Sequence, residues 1–157
     1  LELPWDGSSV GEVQVAGPWV ASGYYQREAE GMTADGWLRS GDLGTIDGVG
    51  YLRIVDRVTD IIKSGGEWIS SVDLENAIMS HPDVAEAAVI GRSDPKWAER
   101  PVAYVVRRGE AALTPDMVRE HLRTLVAKWW LPEDIIFLPE LPRNQMGKIL
   151  KRQLTAA

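Results

Sequence analysis

Three side chains of this sequence have the chemistry to bind an anionic or hydroxyl-bearing ligand. Asp42 offers two carboxylate oxygens as acceptors, and Arg57 offers a planar fork of donors. Lys148 follows a glycine in a polar loop, where an ammonium on a flexible stem can stabilise developing negative charge. Local sequence alone also allows plainer roles. Asp42 would then cap a turn and Lys148 would be solvated. Arg57 would form a surface ion pair with Asp56.

A pair of glycines, Gly65 and Gly66, is a second candidate for a site. The pair is flanked by β-prone residues, which are Ile61, Ile62, Trp68 and Ile69. A two-residue glycine turn suits positive φ and lets the backbone approach a ligand closely. Trp68 belongs equally well in such a site or in the hydrophobic core, because aromatic side chains are bulky core formers.

The composition excludes several classes of function. The 157 residues carry a net charge of −6, which argues against a nucleic-acid-binding protein. Basic residues nevertheless crowd the last fifteen positions and leave a local anion site open: Arg143, Lys148, Lys151 and Arg152. The absence of cysteine excludes disulfides and thiol catalysis, and the wide separation of His81 and His121 argues against a zinc site. No apolar run approaches the roughly 18 residues of a transmembrane helix.

The chain changes character at Asp56–Arg57. Short strands and glycines precede this pair, whereas strands alternate with amphipathic helices after it. We therefore expect a β-rich segment over residues 1–55, a junction at 56–57 and a small domain over 58–157. The first segment is too small for a comfortable core of its own, so we expect it to be the end of a larger domain. The start carries neither a methionine nor a signal peptide, which is typical of the middle of a longer reading frame.

The first third of the chain predicts short strands. Glu12–Val15 alternates strictly, and a second β-prone piece after a Gly-Pro turn ends at Tyr24–Tyr25. Residues 26–35 indicate a loop. Leu43–Asp47 and Tyr51–Val55 flank a glycine-rich turn and predict a hairpin.

The remainder predicts an α+β domain in which helices pack on a short mixed or antiparallel sheet. Ser71 would cap a helix that ends by His81–Pro82 and buries one apolar side, formed by Val72, Leu74, Ile78 and Met79. Thr114-Pro115 would open a second helix with a buried side formed by Met117, Val118, Leu122, Leu125 and Val126. Predicted strands cover Val84–Ile90, Pro101–Arg107 and Asp134–Leu138, with a loop containing Asp94-Pro95 between the first two. An exposed loop over residues 142–148 precedes a short terminal helix.

Three segments, in this order, resemble signature motifs of the acyl-adenylate-forming enzymes, which include acyl-CoA synthetases, nonribosomal peptide adenylation domains and luciferases. The segments are Gly36–Asp42, Tyr51–Arg57 running into Lys63–Glu67, and Pro142–Lys148. The resemblance implies a carboxy-terminal portion: the β-rich end of the large domain, a hinge at Asp56, and a small mobile domain. The family's phosphate loop is absent from this chain. We therefore expect the chain alone to be inactive and to need a large amino-terminal domain in cis.

The resemblance implies an ATP-dependent acid-thiol ligase acting in two steps. A carboxylate and ATP would form an acyl-adenylate, and CoA would then take the acyl group as a thioester. The small domain would rotate to present a different face for each step. The cofactors implied are ATP, CoA and Mg²⁺, with Mg²⁺ held mainly by the large domain, and the expected location is cytoplasmic. Segments 66–71 and 127–132 resemble those of medium- or long-chain fatty acyl-CoA ligases and of the related ligases of sulfur-containing short acids more than those of peptide synthetase domains. This resemblance implies such an acid, most of all a fatty acid, as the substrate.

The resemblance also implies roles for single residues. Lys148 would serve adenylation, Asp42 and Arg57 would bind the nucleotide, and Asp56 would be the hinge. The loop that serves thioester formation would be Lys63, Gly65, Gly66, Glu67 and Trp68. No residue is assigned to the CoA phosphates, for which the candidates are Arg92, Lys96, Arg100, Arg143 and Arg152. The context of Lys148 further resembles that of lysines modified by a lysine acetyltransferase, which would remove the adenylation charge.

Two alternatives stay open at this point. The acceptor thiol could belong to a phosphopantetheinyl carrier protein instead of CoA. The chain could also be a non-catalytic α+β interaction module. A further expectation is self-association of the isolated chain through surfaces that a large domain would cover.

Overall fold

The computed structural model describes residues 2–21, 23 and 31–156. The chain divides into two compact units, Leu1–Thr59 and Asp60–Ala157. The predicted junction residues Asp56 and Arg57 end a strand of the first unit. No helix among the described residues is long and apolar enough to cross a membrane.

The first unit is a three-stranded antiparallel sheet in the order β1-β2-β3. Its strands are β1 Gly11–Val15, β2 Leu38–Ile46 and β3 Leu52–Arg57. The predicted strand at Glu12–Val15 and the predicted hairpin are confirmed, although β2 begins five residues before the expected Leu43. The Asp47 carboxylate closes the hairpin turn by accepting hydrogen bonds from the Val49 and Tyr51 N–H groups. The predicted strand ending at Tyr24–Tyr25 and residues 26–30 of the predicted loop lie outside the described residues.

An irregularity in β2 sets the position of Asp42. Glu12 pairs with Leu43 while Gln14 pairs with Arg39, so two steps along β1 oppose four along β2. Gly41 lies inside this bulge at φ +75°, a conformation that favours glycine. Asp42 follows within the strand. The bulge therefore bends β2 at the residue before the candidate carboxylate.

The second unit is built on a mixed sheet in the order β5-β4-β7-β6, with β8 parallel to β7. The strands are β4 Ile62–Ser64, β5 Glu67–Ile69, β6 Val84–Asp94, β7 Ala98–Arg107 and β8 Asp134–Phe137. The helices are α1 Ser71–Met79 and α2 Pro115–Leu122, with 3-10 helices at Lys128–Trp130 and Lys151–Ala156. This arrangement confirms the predicted α+β fold.

Both faces of this sheet are buried. One face presents Val89 and Val105 to α1 and α2, where Leu74 and Leu122 are fully buried. The other face packs against the carboxy-terminal segment, and its cluster contains Ala88, Val102, Tyr104, Leu141 and Leu154. Neighbouring residues along β6 and β7 thus enter opposite clusters, as strand geometry requires. The hairpin formed by β6 and β7, here called the central hairpin, thus contributes to both clusters.

The predicted Thr114-Pro115 start of α2 is confirmed, whereas α1 differs from the prediction in its cap and both helices bury a narrower apolar face than predicted. Ser70, rather than Ser71, caps α1, because its hydroxyl accepts a hydrogen bond from the Asp73 N–H. Val72 and Met79 lie off the narrow stripe that α1 buries and are exposed. Met117 is exposed for the same reason on α2. Leu125 is exposed because α2 ends at Leu122.

The central hairpin is longer than predicted. β6 continues to Asp94 and β7 begins at Ala98, so the expected broad loop is a three-residue turn. The Asp94 carboxylate closes this turn by accepting from the Lys96 and Trp97 N–H groups. The residues of β6 and β7 near this turn are mostly polar and exposed, so their hydrophobic pattern does not indicate a strand. The last strand ends at Phe137, one residue before the predicted Leu138.

Candidate functional site

In the first unit, Asp42 and Arg57 form a cross-strand pair. They are directly opposed in the register of β2 and β3, and Arg57 Nε lies 3.3 Å from Asp42 Oδ1. Their side chains are 36% and 49% exposed, so a ligand can reach both. Asp56 has a different environment: it is 2% exposed, and its carboxylate accepts a hydrogen bond from the Arg57 N–H. Arg57 thus forms a partly exposed ion pair, as the plainer alternative predicts, but with Asp42, whereas Asp56 is buried.

In the second unit, the Gly65–Gly66 turn joins β4 to β5 as a two-residue hairpin. Both glycines have positive φ, +61° and +88°, as the sequence predicts. The Gly65 N–H donates to the Trp97 carbonyl at 2.8 Å. A Cβ on Gly65 would lie 2.9 Å from the Trp97 ring. Glycine is thus required here by conformation and by the close approach of an aromatic ring.

Lys63 and Trp68 lie opposite each other on the glycine hairpin, and both are exposed. Trp68 is 46% exposed, so the alternative that places it in the core is wrong. Glu67 is exposed beside the turn. The Lys63 N–H donates to the Glu99 carboxylate at 2.7 Å, which helps to attach the hairpin to β7. The structure therefore gathers the predicted loop residues on one exposed element.

A cavity of about 170 Å³ opens beside the glycine turn. It is lined by Ser64, Gly65, Glu67, Trp97, Arg100 and Trp129. A neighbouring recess of about 560 Å³ shares Trp97, Arg100 and Trp129 and adds Asp94, Lys128 and Glu133. Trp97 and Trp129, which border both spaces, were not predicted as site residues. An exposed tryptophan beside a lysine recurs in Lys96-Trp97 and Lys128-Trp129, but nothing in the sequence indicates that the two tryptophans line the same cavity.

Several candidates for the CoA phosphates already have partners within the chain. Arg100 donates to the Trp129 and Leu131 carbonyls at 3.0 and 3.3 Å, which ties the 3-10 helix to β7. Arg92 pairs with Asp134 at 2.6 Å and with Glu133 at 3.5 Å. The hydrogen bond and charge of Asp134 raise the pKa of Arg92 above its ordinary value. These two guanidinium groups therefore serve internal contacts.

The loop that carries Lys148 is a tight hairpin. The Asn144 N–H donates to the Lys148 carbonyl at 2.9 Å, and the Leu150 N–H donates to the Pro142 carbonyl at 2.8 Å. The Asn144 side-chain oxygen accepts from the N–H groups of Met146 and Lys148. Lys148 itself is exposed. The loop thus has a defined backbone and an accessible ammonium.

A largely buried ion pair anchors the chain just after this loop. Lys151 Nζ lies 2.7 Å from the Glu75 carboxylate and 2.7 Å from the Ser71 hydroxyl. The Lys151 and Glu75 side chains are only 19% and 15% exposed. The same Glu75 oxygen accepts from the Val89 N–H. Lys151, which the sequence places among the basic residues of a local anion site, is therefore structural, and no sequence signal links it to the distant Glu75.

The two histidines meet despite their separation in sequence. The rings of His81 and His121 pack edge to face, with centroids 5.0 Å apart. His121 Nε2 is hydrogen-bonded to the Ser80 hydroxyl at 2.7 Å. Within the described residues no group of three or more His, Asp or Glu side chains is placed to hold a metal ion. The described residues therefore contain no cluster that could hold Mg²⁺ by three or more side chains.

Comparisons with known proteins indicate the family to which the chain is similar. A family model described as the AMP-binding enzyme C-terminal domain matches residues 73–148. A long-chain-fatty-acid–CoA ligase of Thermus thermophilus is 53% identical over 156 residues, which are 97% of this chain and 29% of that protein. A 3-methylmercaptopropionyl-CoA ligase of Ruegeria lacuscaerulensis is 46% identical over 154 residues, 98% of this chain and 28% of that protein.

A solved structure matches over the same span. The o-succinylbenzoate CoA synthetase of Bacillus subtilis, in complex with its acyl-adenylate intermediate, superimposes with a TM-score of 0.87 at 38% identity. The match covers 97% of this chain and 31% of that structure. The chain thus spans less than a third of the length of the relatives that it matches.

Proposed function

Because this chain belongs to the acyl-adenylate-forming enzymes and carries their C-terminal domain, we propose that the protein containing it is an AMP-forming acyl-CoA ligase. In the first step, a carboxylate oxygen attacks the α-phosphorus of ATP, and pyrophosphate leaves. In the second step, the CoA thiolate attacks the acyl carbon, and AMP leaves. The proposal is supported by the names of its relatives and by two accessible elements of the second unit that suit different steps.

Asp42 and Arg57 are proposed to hold the nucleotide. Two adjacent ribose hydroxyls are donors that suit a carboxylate with two free acceptor positions. Arg57 pairs with Asp42 across the strands, so it can orient this carboxylate and also donate to a ligand oxygen. Their partial exposure supports this role, because a fully buried ion pair would have to open before a ligand could bind.

Lys148 is proposed to act in the first step. The transfer of the carboxylate to phosphorus builds negative charge on phosphoryl oxygens, and a positioned ammonium stabilises that charge. Lys148 is exposed at the end of a short loop whose backbone is held by Asn144. Its exposure also makes it accessible to a lysine acetyltransferase. Mass spectrometry that finds no acetyl-Lys148 in cells with an active acetyltransferase would count against that modification.

The glycine hairpin is proposed to act in the second step. The Gly65–Gly66 turn carries no side chain that would block the pantetheine arm of CoA, and the adjoining cavity is bordered by Trp97 and Trp129. Apolar aromatic walls suit a narrow, partly apolar chain. Lys63, Glu67 and Trp68 surround the turn on the same hairpin, where they can contact the acceptor. Asp56, at the end of β3, is proposed as the hinge that allows the two elements to act in turn.

The identity of the acid is proposed from the relatives, which act on a long-chain fatty acid and on a sulfur-containing short acid by name. We propose a medium- or long-chain fatty acid as the substrate, processed in the cytoplasm. A carrier-protein thiol is the alternative acceptor. The relatives named as CoA ligases favour CoA.

The test is a two-part assay of the full-length enzyme. Pyrophosphate release from ATP is measured with fatty acids of increasing length, and the acceptor is then varied between CoA and a phosphopantetheinyl carrier protein. We expect pyrophosphate release that depends on the acid and acyl transfer to CoA. Transfer to the carrier protein alone would replace CoA with the alternative acceptor. No adenylation with any carboxylic acid would contradict the proposed activity.

A further inference from the structure

The position of the Lys148 ammonium depends on its backbone. The side chain is exposed, and its ammonium has no hydrogen-bond or ion-pair partner among the described residues. A flexible four-carbon stem loses precision unless its Cα is fixed, and misplacement of a catalytic group by about 1 Å can reduce a rate about 100-fold. The groups that hold the backbone around Lys148 are therefore relevant to catalysis.

Arg143 contacts the peptide unit that precedes Lys148. Arg143 Nη1 donates to the Gly147 carbonyl at 2.6 Å, and Arg143 Nη2 pairs with the Glu86 carboxylate. Glu86 lies on β6, where it pairs with Val106 of β7 directly after an irregularity between Val84 and Glu86. The Arg143 guanidinium thus connects strand β6 to the Gly147 carbonyl, next to Lys148.

Asn144 holds the other side of the same peptide unit. Its side-chain oxygen accepts from the Lys148 N–H at 2.9 Å, and its own N–H donates to the Lys148 carbonyl. Asn144 belongs to the loop, however, and fixes only its internal shape. Arg143 and Glu86 provide a side-chain connection from this loop to the sheet.

The contacts of Arg143 distinguish this role from two others. A guanidinium reserved for a CoA phosphate would be expected to be free at its outer edge, whereas both terminal nitrogens of Arg143 already have partners in the chain. An ordinary surface pair would contact only its carboxylate, whereas Arg143 also contacts a main-chain carbonyl. The Arg143 and Glu86 side chains are 39% and 38% exposed, so water screens the pair in part. Its contribution is therefore expected in the geometry of the loop more than in stability.

We infer that Arg143 and Glu86 are positioning residues for Lys148, and that they act on the adenylation step through the loop backbone. The inference rests on the proposed function of Lys148. Lys148 serves only the first step in that proposal, so loss of the Arg143 contact should affect adenylation and leave thioester formation unchanged. A residue with a purely structural role would affect both steps together.

The test is Arg143→Ala in the full-length enzyme, assayed in two separate half-reactions. We expect the kcat of adenylation to fall by about 10- to 100-fold, with KM for ATP within about twofold of wild type. Thioester formation from supplied acyl-adenylate and CoA should stay within about twofold. Arg123→Ala is the matched control, since Arg123 pairs with Glu120 on an exposed face and should leave both half-reactions unchanged. An equal fall in both half-reactions, or no fall in either, would overturn the inference.

Two further variants separate charge from geometry. Arg143→Lys keeps a positive charge near Glu86, but an ammonium lacks the planar fork that lets Arg143 donate to Glu86 and to the Gly147 carbonyl at once. Its adenylation activity should therefore fall nearly as far as that of Arg143→Ala. Glu86→Gln keeps an acceptor oxygen for Arg143, so its adenylation activity should fall less than that of Arg143→Ala. Full adenylation activity in Arg143→Lys would show that charge alone matters and would overturn the positioning role.

Hydrogen exchange gives a readout that does not depend on activity. Arg143→Ala should speed exchange of the Lys148 N–H, while amides of the central hairpin keep their protection. Unchanged exchange at Lys148 would contradict the inference. Lys148→Ala is assayed in parallel: if it leaves adenylation intact, the proposed function itself fails. If it abolishes adenylation while Arg143→Ala does not, only the present inference fails.

Discussion

The proposed nucleotide-binding role of Asp42 can be tested by removing its charge. Asp42→Asn keeps the size of the side chain but removes the charge that pairs with Arg57. Hydrogen bonds to a charged group contribute about 1.5–3 kcal/mol, so we expect KM for ATP to rise by roughly 10- to 100-fold in the adenylation assay. The kcat should change less, because the ribose is remote from the reacting phosphorus.

Glu12→Gln is the control for Asp42→Asn. Glu12 pairs with Arg39 on the same sheet at 3.6 Å, but it lies outside the motif assigned to the nucleotide. The control should leave KM for ATP unchanged. A similar KM in Asp42→Asn and wild type would remove Asp42 from the nucleotide site.

Lys151 gives a prediction on stability. Lys151→Ala leaves the Glu75 carboxylate largely buried without its ammonium partner, so the free energy of unfolding should fall by about 3 kcal/mol. Arg123→Ala removes an exposed pair and should cost less than about 0.5 kcal/mol. Urea denaturation of the two variants measures both values. Equal losses would show that the burial of the Lys151–Glu75 pair has no energetic consequence.

At the scale of elements, the glycine hairpin is the most specific feature. Gly65→Ala would strain a positive φ and bring a Cβ within 2.9 Å of the Trp97 ring. The turn would have to move, so we expect thioester formation to fall by at least about tenfold while adenylation is retained.

Gly109→Ala is the matched control for this hairpin. Gly109 also has positive φ, +59°, but a Cβ there would meet nothing within 4 Å. Both variants carry a backbone strain of roughly 1–2 kcal/mol. Only Gly65→Ala should lose thioester formation, and an equal effect of the two would mean that strain alone accounts for the loss.

Elements with strong local signals were predictable. The Gly65–Gly66 turn, the Thr114-Pro115 helix start and the alternation in β1 each depend on residues close together in sequence. The end of β6 and the start of β7 were not predictable, because the polar residues there do not show the apolar alternation of a half-buried strand. The α1 cap was misplaced by one residue, since Ser70 and Ser71 are equally good caps by type.

The candidate site likewise contains residues that local sequence predicts and contacts that it does not predict. Asp42, Arg57, Lys148 and the glycine turn follow from motifs in the sequence, although their roles remain predictions. The cavity that Trp97 and Trp129 both line, the anchor from Lys151 to Glu75 and the contact of His81 with His121 all join distant parts of the chain. Such contacts depend on how the sheet is covered, which no local pattern determines.

At the scale of the whole molecule, we predict that the isolated chain is inactive and self-associates. It spans only 28–31% of the length of its relatives. On β3, Leu52 and Ile54 lie on the same face of the strand and are 48% and 52% exposed. Neighbouring exposed apolar side chains of this kind favour association with another surface. Size-exclusion chromatography should show concentration-dependent oligomers and no acyl-adenylate should form. A clean monomer at high concentration would oppose the first part, and adenylation by the chain alone would contradict the second.

The most direct test of the two-step account is Lys148→Ala in the full-length enzyme, with Gln145→Ala in the same loop as its control. Adenylation from carboxylate and ATP is measured separately from thioester formation with supplied acyl-adenylate and CoA. We predict that adenylation falls by at least about 100-fold in Lys148→Ala and that thioester formation is retained. An equal loss of both steps would make Lys148 structural or shared between them. Full activity in both would contradict the assignment of this loop to adenylation.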